Sequence, residues 1–268
     1  MTNDSLPEIV EKVRLRTPAR LLAGRSGGGY RTSTQLELRA AHAAARDAVR
    51  TEFDLEHHLS LELIKRCEMF EVRSEVQSKD EYLLRPDLGR RLSTESRSRI
   101  GEICPKNPDL QIIIGDGLST TAVAAQVPGL LPLLIDGAQA RGWVLGRTFA
   151  VRFCRVGILN DVGDILRPKV AVLLIGERPG LATAESLSAY MAFRPRSGHT
   201  DADRNLISNI HGRGVAIPDA AARILHLAER MLRLQISGVQ IREELPVGAP
   251  GQLGRTGNPD ERRTWVPK

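Results

Sequence analysis

Aromatic side chains are scarce in this chain: Phe, Tyr and Trp make up 4% of its 268 residues. Aliphatic residues must therefore fill the core, and the stacking platforms that hold single-stranded nucleic acid are not expected. Cysteine is scarcer still, with Cys67, Cys104 and Cys154 far apart. An odd count without a secretory leader pattern excludes a disulfide framework, and no pair has zinc-site spacing, so all three read as reduced, buried thiols. Long apolar runs are also missing, since none approaches the roughly 20 residues that cross a bilayer. With no charged-then-apolar leader at the amino terminus, the expectation is a cytoplasmic protein without a membrane segment.

What is present in quantity is aliphatic residues and positive charge. Hydrophobic residues are 41% of the chain, enough for a sizeable core. Lys and Arg number 38 against 32 Asp and Glu, a net charge of +6. The arginines are scattered, and no nucleic-acid motif accompanies them. Such a surface suits an acidic protein partner or a phosphate-bearing cofactor.

The pattern of residues 1–106 predicts a smaller, mostly helical region. Its features are an apolar stripe at Ile9, Val10 and Val13, a glycine-rich connector at 25–31, and a helix opened by a Thr34–Glu37 capping box and running to about Val49. A further helix is expected over 55–70, with Leu59, Leu63 and Cys67 on one face, and another ends near Cys104. From 107 to 245 strands alternate with helices, as in βαβ units around a parallel sheet. Strands are expected at 110–114, 148–156 and 169–175, and helices at 118–127, 129–141, 185–192, 202–211 and 218–235. The last has a buried stripe of Ile224, Leu227, Met231 and Leu234. The fold class is thus α/β, a Rossmann-like parallel-sheet domain preceded by a helical region. Residues 246–268, rich in glycine, proline and charge, read as a flexible tail.

Two strand-to-turn-to-helix junctions stand out, because ligands of parallel sheets bind at the carboxyl ends of strands. One is Gly115-Asp116-Gly117-Leu118-Ser119-Thr120, after Leu110–Ile114. It lacks the Lys of a P-loop, and a helix cap at Ser119 and Thr120 explains it without a ligand. The other is Gly176-Glu177-Arg178-Pro179-Gly180-Leu181, after Val170–Ile175. Here Glu177 is either ion-paired with Arg178 or Arg196, or held out as an acceptor for a ligand. The histidines form no catalytic set. His211 is the best placed, although a helix-end position would account for it. On the residues alone, the chain is a cofactor-binding or subunit-forming α/β protein without a self-contained catalytic centre. A stand-alone basic nucleotide- or RNA-binding module is the other reading.

The ordered series of motifs carries a resemblance. Glu71-Val72-Arg73-Ser74-Glu75, Leu84-Arg85-Pro86-Asp87-Leu88-Gly89-Arg90-Arg91-Leu92, Asp116–Thr120, Arg155-Val156, Gly176–Leu181, Glu185–Ser188 and Ile207–His211 together resemble the small subunit of ethanolamine ammonia-lyase, from about Val13 to Arg242. The resemblance implies a lyase of large and small subunits that uses adenosylcobalamin (coenzyme B12) to convert ethanolamine to acetaldehyde and ammonia. Homolysis of the cobalt–carbon bond there yields the radical that abstracts hydrogen from substrate. It further implies that the substrate pocket lies on the large subunit, and that the small subunit helps enclose the cobalamin. Carried over by motif, the cobalamin contacts fall on Val156, Glu177 and Leu206. The family has a Cys at the third position, so only a backbone or apolar contact survives at Leu206. Some relatives carry an amphipathic extension addressing them to a bacterial microcompartment. About a dozen residues precede Val13 here, so any enclosure is expected through the large subunit.

Overall fold

The computed structural model describes residues 8–9, 12–13, 25–180 and 183–243. The predicted tail at 246–268 lies outside the described residues, as do Val10, Leu181 and Ala182. The glycine-rich connector is a small hairpin, β1 (Arg25–Ser26) with β2 (Gly29–Tyr30), turning at Gly27, whose φ is +60°. Helix α1 (Thr32–Arg50) follows. It starts from Arg31 with no side-chain cap bond, rather than from the predicted Thr34–Glu37 box.

The helix expected over 55–70 is two short ones. In α2 (Leu55–His58) the Asp54 carboxylate accepts the His57 amide, and in α3 (Leu61–Arg66) the Ser60 hydroxyl accepts the Leu63 amide. Ser60 competes for the backbone in the middle of the expected helix and restarts it. Phe70 then belongs to strand β3 (Phe70–Arg73), so the sheet draws one strand from the first 106 residues.

After α4 (Lys79–Leu84) and α5 (Thr94–Ile103) come β4 (Leu110–Gly115), α6 (Thr120–Gln139), β5 (Phe149–Arg152), α7 (Ile158–Leu166) and β6 (Val170–Gly176). The chain finishes with β7 (Leu187–Phe193), β8 (Asn205–Ile210) and α8 (Ile217–Leu234). The sheet order is β3-β5-β4-β6-β7-β8. The first four strands are parallel, and β7 and β8 pair antiparallel at one edge.

Segments 185–192 and 202–211, expected as helices, instead carry the strands β7 and β8, with a short 3-10 turn at Asp201–Asp203 before the second. Leu187, Ala189 and Met191 alternate into the core, and β7 matches β6 residue for residue from Val170–Phe193 to Gly176–Leu187. That pairing overrides the helical preference of the Ala and Ser residues. Helix α6 runs unbroken through Pro128 and Pro132, where two helices were expected. Each interior proline costs about 3 kcal/mol. The fully buried Val123, Val127, Leu130, Leu131 and Leu134 contribute about 1.5–3 kcal/mol each and offset this. Among the described residues α6 alone is long and apolar enough to cross a membrane, and its apolar face is packed inside the protein.

The central strands are buried on both faces, which explains their continuous apolar runs. Ile112, Ile114, Val172 and Leu174 face α6 and α8, while Ile113, Ala171 and Leu173 face α5 and α7. Helix α8 buries Ile224, Leu227 and Met231 as expected, but Leu234 is 45% exposed. The helix ends there, with Gln235 in the left-handed region, so the stripe stops one turn short.

Candidate functional site

Strand β4 sends its connection towards β5, whereas the neighbouring β6 sends its own towards β7. Between such diverging loops an α/β sheet opens its ligand crevice. Here the floor is tight. The Leu118 amide donates to the Gly176 carbonyl at 3.0 Å. A Cβ on Gly117 would lie 2.2 Å from that same oxygen, and Gly117 also has φ +56°. A side chain at Gly176 would meet the Ser119 carbonyl at 2.0 Å. Ser119 caps α6, accepting the Ala122 amide at 3.2 Å. The cap reading of this turn is thus correct for Ser119.

Asp116, fully buried, reaches from this turn to the next one. Its Oδ2 accepts the Phe153 amide at 2.9 Å and its Oδ1 the Cys154 amide at 2.7 Å. Burial pushes its carboxyl up from the ordinary range, against the Lys79 ammonium and these amides, which favour the charged form. The Tyr82 hydroxyl donates to the Cys154 carbonyl at 2.7 Å, and the Arg155 amide donates to the Gly89 carbonyl at 2.8 Å. Phe153, held at φ +56°, is thereby fixed, and the chain presents Arg155 and Val156 beyond the end of β5.

Glu177 follows β6 directly. It forms no ion pair with Arg178 or Arg196; its partners are hydroxyls and a backbone amide. Its Oε2 accepts the Ser186 hydroxyl at 2.7 Å, and its Oε1 accepts the Ser188 hydroxyl and, at 3.2 Å, the Asn209 amide. A carboxylate offers about four acceptor directions, so one on Oε2 is still open. The Asn209 side chain bonds His211 Nε2 at 2.7 Å, and the Arg213 amide donates to Nδ1 at 3.2 Å. Nδ1 therefore accepts and Nε2 carries the proton. His211 follows a strand, not a helix, and the helix-end explanation does not apply. Its buried ring is held below the usual imidazole pKa, first by desolvation and then by Arg213.

Val156, Glu177 and Leu206 come from three separate elements and line one cavity of about 270 Å³ with Tyr82, Leu118 and Tyr190. Leu206 is on the edge strand and 46% exposed, an apolar rim. Tyr82 and Tyr190 line this cavity and Asp116 braces it, and no local sequence motif marks the two tyrosines for that role. Only the placement of Asp116 between two glycines at a strand end hinted at its role. Among the described residues no cluster of His, Cys, Asp and Glu is arranged to hold a metal, and all three cysteines are free thiols.

The fold and this cavity define an α/β protein with a cleft at the carboxyl ends of its parallel strands, whose polar groups are largely bonded to one another. A model of the ethanolamine ammonia-lyase light chain (EutC) matches residues 7–242. The ethanolamine ammonia-lyase small subunit of Fusobacterium nucleatum is 40% identical over 253 positions, covering 90% of this chain and 84% of the relative. That of Clostridium perfringens is 43% identical over 231 positions, covering 86% and 76%. This chain belongs to the ethanolamine ammonia-lyase light-chain family. The comparisons thus point to the lyase family and give no support to a stand-alone basic module.

Proposed function

We propose that this chain is the cobalamin-contacting small subunit of a two-chain ethanolamine ammonia-lyase, paired with a large subunit that binds ethanolamine. The observation that carries this is the convergence of Val156, Glu177 and Leu206 on one strand-end cavity. Adenosylcobalamin, when bound, supplies the radical chemistry that turns ethanolamine into acetaldehyde and ammonia.

The residues present suit the edge of such a cofactor, which is rimmed with amides. Glu177 keeps one acceptor direction for an amide N–H, and Ser186, Ser188 and Asn209 hold its carboxylate in place. Val156 and Leu206 give apolar surface that displaces water on contact. At Leu206 the contact is apolar, so the absence of sulfur there is tolerated. A cavity of about 270 Å³ is far smaller than a cobalamin, so the rest of the cofactor must be covered by the large subunit. We place the complex in the cytoplasm, with any enclosure in a microcompartment directed by that partner.

The test is co-production of this chain with a large subunit, followed by assay of acetaldehyde from ethanolamine. The proposal predicts activity that requires both chains and adenosylcobalamin. A chain that neither joins the large subunit nor supports its activity would refute it.

A further inference from the structure

The Glu177 cavity continues, across Arg155, Val156 and Tyr190, into a larger cleft of about 570 Å³. Four arginines line this cleft: Arg90, Arg91, Arg155 and Arg204. Its two carboxylates do not balance them. Asp161 is committed to the Leu92 amide at 2.8 Å and to Arg97, outside the cleft, at 2.7 Å. Asp201, with its side chain 87% exposed, pairs with Arg204 at 2.6 Å. Among the described residues, Arg90, Arg91 and Arg155 pair with no carboxylate.

The cations are also incompletely bonded. The Arg204 side chain is only 6% exposed; its Nη2 donates to Asn160 Oδ1 at 2.9 Å, but its Nε is buried without a partner. Arg155 lies 4.1 Å from the Tyr82 ring centroid and donates through Nη2 to the Tyr82 carbonyl at 3.1 Å. Its Nε is again buried and unpartnered, as is Nδ1 of the neighbouring His199. Leaving desolvated cations short of acceptors is unfavourable unless an anion completes them. Planar guanidinium forks match the oxygens of a phosphate.

We infer that this cleft receives the phosphodiester of the cofactor's nucleotide arm, with Arg155 and Arg204 as its clamps and Arg90 and Arg91 at the mouth. The inference rests on the cobalamin reading above. That reading places the amide-rimmed edge of the ring in the Glu177 cavity, and the phosphate-bearing arm then has a continuous path into the cationic cleft.

The test uses the assembled two-subunit complex and two probes, hydroxocobalamin and cobinamide, which has the same ring without the nucleotide and its ester. Dissociation constants are read by equilibrium dialysis for the wild type, Arg204→Gln and Arg91→Gln, the last being an exposed residue. Loss of a charge-assisted contact predicts roughly tenfold or more weaker cobalamin binding in the variants, with cobinamide binding unchanged. Equal weakening of both probes, or no change for either, overturns the phosphate assignment while leaving the ring-edge cavity standing. A wild-type complex that binds neither probe overturns the cobalamin reading itself.

Discussion

The carboxylate of Asp116 accepts the backbone amide of Cys154 at 2.7 Å, joining the turn after β4 to the turn after β5. Its other oxygen takes the amide of Phe153, so one buried side chain sets the path that presents Val156 to the cavity.

Asp116→Asn removes one of the two acceptors and turns an NH2 towards an N–H donor. The variant is expected to lose roughly 1–3 kcal/mol of stability, read by urea denaturation. A wild-type midpoint would show that the two turns are held by other contacts.

Gly176→Ala places a methyl group 2.0 Å from the Ser119 carbonyl and 2.7 Å from that of Asp116, both backbone atoms that cannot swing away. The expected cost is roughly 1–3 kcal/mol. Gly212→Ala, with nothing within 4 Å, is the control and should stay within about 0.5 kcal/mol of wild type. Equal midpoints for the two variants would contradict the close approach of Gly176 to the Ser119 carbonyl.

Glu177→Ala strands the hydroxyls of Ser186 and Ser188 and the amide of Asn209, and should cost roughly 1–3 kcal/mol. Glu177→Gln can keep its oxygen towards Ser188 and Asn209 and donate its NH2 to Ser186, so it should lose less than about 1 kcal/mol. Comparison of the two melting curves decides this. If Gln is as damaging as Ala, the negative charge itself holds the loop.

Acid should weaken the same loop. Because the folded-state pKa of His211 lies below the ordinary value of 6.5, the unfolded chain takes up the proton first. Stability from this group is therefore complete where the ring is neutral in both states and declines as pH falls through about 6.5. A protonated Nδ1 would face the Arg213 amide, and the strain would pass through Asn209 to Glu177. His211→Gln should flatten the dependence of stability on pH between about 5 and 7. An unchanged slope in the variant would assign it to another group.

The legible parts of this molecule were those decided by local pattern. The runs at Leu110–Ile114 and Val170–Ile175 read as buried strands, and the Gly176 and Pro179 turn drew attention to Glu177. Strand β7 was hidden because Ala189, Tyr190, Met191 and Ala192 suit a helix locally, and only the pairing with β6 makes them a strand. Pro128 falls between the two helices expected at 118–127 and 129–141, since nothing local shows that its neighbours bury a full apolar face. The partners of Asp116 and Tyr82 lie far along the chain, so no spacing rule could have joined them to Val156. The proposed contact positions themselves came from family resemblance. Their gathering into one cavity is a property of the fold.

The most direct test of the central claim is the affinity of the assembled complex for hydroxocobalamin, wild type against Leu206→Glu. Leu206 is 46% exposed on an edge strand, so its replacement spares the core. A charge placed on an apolar rim that must lose water against the cofactor should weaken binding roughly tenfold or more. Wild-type affinity in Leu206→Glu would show that the cofactor does not reach this cavity and would contradict the account.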